Sequence, residues 1–335
     1  MITLCFILIF FNIGRLIMNT THTKVTIIIP NYNNRNLLED LLNSLKAVST
    51  PYDLIIIDNA SKDDSADFIK KSYPQIKLIE NEVNMGFAYA VNQGIKLSET
   101  EYVFLLNNDT VIDKNCLSNL IKTIEKDNSI FSVSSKMIQY HNKDLIDDAG
   151  DAYNILGWSK KIGNNHNIRE YDEDCEVFSA CAGAALYRRK YFEEIGYFDE
   201  NFESYVEDMD LSFRSRLHGY KSYYSSKALV YHYGSATSGS KHNPFKVRLS
   251  ARNNLYLIYK NMSTWMKVIN FIFIFLGDLI KYLYFYRKGF GQDYLDGIVE
   301  GLKTRKQLEK TKNIPLKNYI HIELSLIKNL FKYPF

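Results

Sequence analysis

The sequence predicts an α/β protein on a Rossmann-like, mostly parallel mixed sheet with helices on both faces. Three observations carry that expectation. Short β-branched apolar runs alternate four times with segments of helical periodicity in the first third of the chain. The runs are continuously apolar, as strands buried on both faces require. Each of three runs ends on polar residues: Asn31 and Asn33, then Asp58 and Asn59, then Asn107, Asn108 and Asp109.

In chain order, 24–30 (KVTIIIP) is the first strand, and 36–48 is a helix with Leu37, Leu38, Leu41, Leu42 and Leu45 at helical spacing. Residues 54–58 (LIIID) form a second strand and 61–71 a helix that Ser61 can cap. A strand at 76–80, a helix at 87–97 and a strand at 102–107 (YVFLLN) complete the alternation. No Gly-x-Gly-x-x-Gly follows the first strand, which argues against a dehydrogenase-type dinucleotide fold. Ligands of open α/β sheets bind outside the carboxyl ends of the strands, so the polar strand ends converge on one crevice. Residues 138–176 are polar and irregular, with Gly150, Gly157 and Gly163, and read as a functional loop. A small-residue strand at 179–187, a helix at 206–217 closed by Gly219 and a short strand at 228–232 follow.

The 335 residues, 46% hydrophobic and 24% charged, can bury a core without staples. A net charge of +3 with no Lys/Arg stripe excludes a nucleic-acid partner. The 25 Tyr and 20 Phe are assigned mainly to the core. Cys5, Cys116, Cys175 and Cys181 have neither metal nor redox spacing, which suits a reduced, cytoplasmic chain. The apolar segment 1–23 is interrupted by Asn12 and Arg15; it is a weak anchor, or an upstream start with translation from Met18. Residues 24–260 then form the main domain. From Lys260 onward 13 Lys/Arg face six Asp/Glu, a net of +7 that leaves −4 for what precedes it. Within that region 268–286 is apolar and aromatic, contains Asn270 and Asp278, and is punctuated by Lys267, Lys281, Arg287 and Lys288. It reads as an interfacial helix or hairpin drawn to anionic lipid, with packing on the main domain as the alternative.

Asp109 closes a buried strand, where a carboxylate can bridge a hard cation to a diphosphate with help from Asn107 or Asn108; the competing role is a turn aspartate. Glu207, Asp208 and Asp210 cluster, and mutual repulsion can hold one of them as a base near neutrality, although helix amino termini favour acids anyway. His232 ends the last strand, a place from which imidazole can ligate a metal or serve a purely structural role.

These residues sit in blocks that resemble an inverting family 2 glycosyltransferase of the GT-A fold, nearest a bacterial rhamnosyltransferase-like branch. The blocks are IIIPNYN (27–33), DNASKDDS (58–65), NMGFAYAVNQG (84–94), LLNNDT (105–110), AGAALYRRKYFEEIGYFDENF (182–202), EDMDLSFR (207–214) and VYHYGSAT (230–237). The resemblance implies that Pro30, Asn31 and Tyr32 line a base pocket and that Asp58 bonds the pyrimidine. It places Asn84, Gly86 and Asn92 by the ribose and diphosphate, and Gly183 by the donor sugar. It makes Asp109 the metal carboxylate of an Asp-x-Asp motif whose first acid is here Asn107, and His232 its partner. Asp208, beside Glu207, becomes the catalytic base, and Arg252 a phosphate ligand. The implied cofactor is Mg²⁺ or Mn²⁺. The implied donor is dTDP-rhamnose or a UDP-hexose, and the acceptor a glycan or lipid-linked glycan at the inner face of the cell membrane.

The chemistry expected is deprotonation of an acceptor hydroxyl by Asp208 while the cation stabilises the leaving diphosphate. No second carboxylate is placed as nucleophile, so a single displacement with inversion follows. A sugar-nucleotide pyrophosphorylase would need a glycine-rich loop where Pro-Asn-Tyr-Asn-Asn-Arg stands. A catalytically inactive nucleotide-sugar-binding protein would have no need of Glu207-Asp208.

Overall fold

The first apolar runs become strands whose alternate residues feed two cores. In β1 (Val25–Asn31), Val25, Ile27 and Ile29 enter one cluster and Ile28 the other. β2 (Tyr52–Asp58) divides Ile56 from Ile55 and Ile57 in the same way. β3 is Lys77–Glu80, and β4 (Tyr102–Leu106) splits Phe104 and Leu106 from Val103 and Leu105. This period of two, with apolar residues on both parities, is why the runs lack polar alternation. The computed structural model describes residues 23–234 and 242–333. Segment 1–22, with the anchor-or-start question, and the end of the VYHYGSAT block lie outside the described residues.

The remaining strands are β5 (Thr110–Ile112), β6 (Ile130–Gln139), β7 (Ile146–Asp148), β8 (Asp151–Tyr153), β9 (Ser159–Lys161), β10 (Cys175–Val177), β11 (Ala184–Arg188) and β12 (Lys221–His232). The main sheet runs β10-β12-β6-β11-β4-β1-β2-β3, with β5 added on β12 and β7 on β6; β8 and β9 form a separate ribbon. β3, β2, β1 and β4 are mutually parallel, β11 is antiparallel between β4 and β6, and β12 runs parallel to β6. The sheet is therefore mixed, as expected.

The helices are α1 (Arg35–Leu45), α2 (Ser65–Ser72), α3 (Gly86–Leu97), α4 (Cys116–Ile124), α5 (Phe192–Ile195) and α6 (Glu207–Leu217), then α7 (Pro244–Asn261), α8 (Thr264–Ile269), α9 (Phe271–Arg287), α10 (Gly291–Thr304) and α11 (Leu316–Lys332). α1 and α4 pack on one face of the sheet through Leu38, Leu41, Leu117 and Leu120, and α3 packs on the other through Ala88, Val91 and Ile95.

Four expectations are corrected. The helix expected from 61 starts at Ser65, and Ser61 does not cap it; its hydroxyl accepts from Asn33 N at 2.8 Å and Asn31 Nδ2 at 3.1 Å, tying two strand-end loops together. The strand expected from 179 begins at Ala184, because a turn returns Ala184 N–H to Cys181 O. The strand expected from 228 begins at Lys221; an irregularity between Ser225 and Leu229 hides its first half. Residues 138–176 hold the ends of β6 and β10 and all of β7, β8 and β9, three-residue strands too short to leave a periodic signal.

The C-terminal region packs on the main domain. Met266, Leu308, Ile322 and Leu326 share a core with Phe213 and Leu217 of α6 and Tyr256 of α7. α9 is inverted relative to an ordinary surface helix. Its inward side carries Gly277, Asp278 and Lys281, while Phe271, Ile272, Phe275, Leu279, Ile280 and Leu283 point outward, Ile272 being 66% exposed. Gly277 is needed for this docking, because a Cβ there would stand 2.2 Å from Leu156 O; Trp158 Nε1 donates to Gly277 O at 3.1 Å. Among the described residues no helix is long and apolar enough to cross a membrane.

Candidate active site

A cavity of about 610 Å³ opens at the carboxyl ends of β1 and β4. Pro30, Asn31, Tyr32, Asn84 and Gly86 line it, as do Asn107, Asn108, Asp109, Gly183, Glu207, Asp208 and His232. The structure thus brings together twelve of the fifteen residues singled out from sequence. Amide chains link the strand ends: Asn108 Nδ2 donates to Asn31 Oδ1 at 2.8 Å, and Asn31 Nδ2 to Asp58 Oδ2 at 2.9 Å. Asn84 Oδ1 accepts from Gly86 N at 2.9 Å and from Asn59 Nδ2 at 2.8 Å.

The other three stand behind the wall. Asp58 is buried and holds Asn31 and Ser61 N. Asn92 is buried in α3, bonded to Phe198 N and O and to Glu200. Arg252, expected as a phosphate ligand, is instead engaged by Glu203 at 2.8 Å and Glu300 at 3.1 Å and donates to Asn201 O and Phe202 O.

Those contacts hold a strained loop. Glu203, Tyr205 and Val206 have φ of 61°, 67° and 71°, a left-handed region that a β-branched residue such as Val206 adopts only when its surroundings force it. Beside Arg252, Asn253 Nδ2 donates to Phe202 O, Ser204 O and Tyr205 O at 2.8–2.9 Å, and its residue is wholly buried. The loop leads directly into α6 and so aims Glu207 and Asp208. Removing the clamp should let the backbone relax, at about 1–3 kcal/mol of strain per residue. Asn253→Ala is expected to lower stability by about 1–3 kcal/mol and to reduce kcat about tenfold with little change in donor KM. Urea unfolding and initial rates check this; an unchanged kcat in a destabilised variant would make Asn253 a fold residue alone.

The three acids of the cluster part company. Asp210 is fully buried and accepts from Arg214 Nε (2.9 Å), Lys260 Nζ (3.1 Å) and Asn261 Nδ2 (2.7 Å), so it belongs to the core. Asp208 faces the cavity and accepts from Ala182 N at 3.2 Å and Met209 N at 2.7 Å. Burial raises its carboxyl above the usual range, while these N–H groups and Lys161 oppose the rise. Glu207 is raised well above its ordinary value by burial and by Asp208, and its Oε2 is buried without a hydrogen-bond partner. The two carboxyls thus differ in environment, Asp208 with two N–H donors and Glu207 with an unpartnered buried oxygen.

At the opposite end of the chemistry, His232 Nε2 lies 3.4 Å from Asp109 Oδ1, and Nδ1 lies 2.9 Å from Asp147 Oδ2. Burial would push this imidazole down, but the two carboxylates outweigh it and raise it to about 9. Asp109 Oδ1 is buried and receives no hydrogen bond, so a carboxylate oxygen and an imidazole nitrogen are turned toward one another with the oxygen's capacity unused. A carboxylate and an imidazole are ligands that a hard divalent cation accepts, and one would be held here by Asp109 and His232 on displacing the Nε2 proton.

The β7–β9 segment supplies charges that sequence reasoning missed. Lys161 Nζ reaches Asp147 Oδ2 at 3.2 Å and Asp148 Oδ2 at 3.6 Å. The charges therefore run Asp109, His232, Asp147, Lys161, Asp148. Ligand atoms of Asp148, Asp151 and Cys181 also lie within 4.8 Å of one another. That group suits a cation less well: burial raises the Cys181 thiol far from thiolate, and Lys161 already supplies positive charge. Three acids within five residues (Asp147, Asp148, Asp151) were the available signal.

The profile described as Glycosyl transferase family 2 matches residues 26–196, half of the chain. Poly-beta-1,6-N-acetyl-D-glucosamine synthase of Staphylococcus epidermidis is 28% identical over 224 residues, 64% of this chain and 52% of that protein. The glycosyltransferase YwdF of Bacillus subtilis is 27% identical over 242 residues, 69% of this chain and 85% of that protein. The chain spans about half the length of the synthases it matches. GalNAc-T7, solved with UDP, GalNAc and Mn²⁺, superposes with a TM-score of 0.58 at 15% identity, over 72% of this chain and 48% of that one. A mannosyltransferase from Pyrobaculum calidifontis with GDP-Man and Mn²⁺ gives 0.53 at 14% identity, over 97% and 88%. Both share the GT-A arrangement of sheet and helices, and with the profile match on the same strands that carry the cavity, the chain belongs to glycosyltransferase family 2.

Proposed function

We propose that this protein transfers a sugar, with inversion, from a nucleotide-diphosphate donor to a hydroxyl of a glycan or lipid-linked acceptor during cell-surface polysaccharide synthesis. One observation carries the reading: Asp109, His232 and Asp208 line a single cavity at the strand ends. Asp109 and His232 would hold Mg²⁺ or Mn²⁺, which when bound supplies positive charge to the leaving diphosphate. Asp208 takes the acceptor proton; its N–H donors keep the carboxylate available. Glu207, whose carboxyl burial and Asp208 raise toward the protonated form, can donate to a sugar hydroxyl. Asn31, Tyr32, Asn84 and Gly86 would hold the nucleotide.

The solved relatives named with UDP, GDP-Man and Mn²⁺ support a nucleotide sugar with a divalent ion. dTDP-rhamnose and the UDP-hexoses are the donors to try first. A thermal-shift screen of nucleotide sugars with Mn²⁺ tests the donor site, since a ligand that binds only the folded state at 100 times its Kd stabilises by about 2.7 kcal/mol. No shift with any of them would remove the donor assignment. An inactive nucleotide-sugar-binding protein would shift equally well but would release no nucleotide when acceptor is added.

The outward face of α9 supports a peripheral seat on the inner face of the cell membrane. Apolar side chains face out while Asp278 and Lys281 face in, the reverse of a water-facing helix, and the exposed Arg287 ends it. α11 adds Leu316, Ile320, Leu324, Ile327 and Phe331, exposed along one stripe, and residues from 260 onward carry net positive charge that anionic lipid complements. Replacing Phe275 and Ile280 together by Asp removes no core contact, because both are at least half exposed. The double variant is expected to lose at least about tenfold in partition to anionic vesicles, each side chain contributing about 1.5–3 kcal/mol when buried in lipid. Co-sedimentation measures it; unchanged partition with loss of a dimer would assign the face to a second copy.

A further inference from the structure

Part of the cavity wall comes from two C-terminal helices rather than from the sheet. α7 contributes Lys246, Ser250 and Asn254, four residues apart and so on one stripe, and α9 contributes Lys281. Gly157 joins the two helices: it lies against Asn254 and Ile258 of α7, and its carbonyl receives Lys281 Nζ at 3.4 Å. Tyr153 O–H donates to Asn254 Oδ1 at 3.0 Å and fixes that amide.

Lys281 is a cation held in an unfavourable place. Burial pulls its ammonium down to about 8, and Asp278 only partly opposes this because its carboxylate accepts from Tyr294 O–H at 2.9 Å. The ammonium lies 5.7 Å above the Trp158 ring, a weak contact beside a long carbonyl bond. Buried ammonium groups are stabilised chiefly by an anionic partner. Elsewhere in the lining Asp109, Asp151 and Asp208 stand beside Lys161 and His232, so the charges there are mixed, whereas the charged residues that α7 and α9 contribute to the lining are the two lysines, Lys246 and Lys281. α9 turns its apolar face outward directly behind Lys281.

We infer that this wall is an acceptor subsite for the phosphate or diphosphate of a lipid-linked glycan, held by Lys281 and Lys246 with Ser250 and Asn254 as hydrogen-bonding groups, while the lipid chain leaves over the outer face of α9. The anion then anchors one end of the acceptor, and the sugar beyond it reaches Asp208. This deepens the reading of the site as a glycosyltransferase with a lipid-linked acceptor, and it rests on that reading only for the identity of the acceptor.

The test is a binding measurement that needs no turnover. The chain has two tryptophans, so Trp265→Phe leaves Trp158, under Lys281, as the reporter. Farnesyl diphosphate is titrated in chelator, which keeps the donor's cation-dependent diphosphate subsite from binding the probe. Farnesyl diphosphate is expected to quench Trp158, and Lys281→Met to weaken that binding at least tenfold, with Lys281→Arg retaining most of it. Farnesol and inorganic diphosphate should each bind at least tenfold more weakly than the conjugate.

Unchanged affinity in Lys281→Met overturns the inference. Inorganic diphosphate as tight as farnesyl diphosphate would make this a free-phosphate site, and farnesol as tight would make it an apolar surface; either outcome also overturns it. An unchanged melting temperature and donor affinity in Lys281→Met excludes misfolding. Should Lys281→Met fail to fold, Lys246→Met is measured in the same way with the same expected loss. Asp208→Asn should bind the probe as the parent does, so failure of the transfer reading and failure of this subsite are told apart.

Discussion

Asp208→Asn is expected to reduce sugar transfer about 10²–10⁴-fold while leaving donor affinity within a factor of two or so. The substitution keeps the shape, but Met209 N and Ala182 N donate to different carboxylate oxygens, so the amide keeps one of the two bonds, and an unchanged melting temperature separates loss of the proton acceptor from loss of that contact. Asp208 rather than its neighbours is the residue to change. Asp210 is locked to Arg214, Lys260 and Asn261 and would report on stability, and burial together with the Asp208 charge raises Glu207 well above its ordinary value, which favours its protonated form. The sign of the pH dependence follows. Burial raises the Asp208 carboxyl, so its base form is lost earlier on acidification than in an exposed aspartate. The acid limb of kcat/KM should therefore stand above the ordinary carboxylate range and disappear in Asp208→Asn. A variant that turns over normally would remove Asp208 from the base role, and Glu207→Gln would then be the next candidate to test.

Much of this site was legible in sequence because it is built at strand ends. β1 and β4 are marked by unbroken apolar runs, and the residues that close or follow them leave the two apolar clusters to line the cavity and are polar; Asn31, Asn108 and Asp109 fall there. Physical spacing placed His232 at another strand end, and β12 brings it beside Asp109 through its pairing with β5, where His232 stands opposite Thr110. What was not legible depended on contacts between distant short elements. Asp147 and Lys161 sit on three-residue strands whose pairing leaves no periodicity. Asn253 and Arg252 lie in the middle of α7, where polar residues ordinarily mark a solvated face; here they are buried because they satisfy the carbonyls of the strained loop before α6. Arg252 drew attention for its charge, and a guanidinium with two acids in reach has little left for phosphate.

Removal of divalent ions is expected to abolish transfer, and the order in which single variants lose the ion separates the two acidic groups of the cavity. Asp109→Asn should cause the largest loss of Mn²⁺ affinity, because Asn107 and Asn108 beside it offer no charge to replace it. His232→Ala should follow. Asp147→Ala should weaken Mn²⁺ by about 10–100-fold, the range typical of an outer partner that orients a metal-binding imidazole. The physical reason is the ring orientation and the proton: a carboxylate 2.9 Å from Nδ1 holds the ring and keeps a proton on that nitrogen, so the Nε2 proton facing Asp109 is the one a cation would displace. Asp147→Asn, which can still accept at Oδ1, should recover part of the loss. Electron paramagnetic resonance of Mn²⁺ reads these affinities without any turnover. If Asp151→Asn lost the ion while Asp109→Asn kept it, the cation would belong to the Asp148–Asp151–Cys181 group, and the diphosphate would have to lie over β8 instead of over the end of β4.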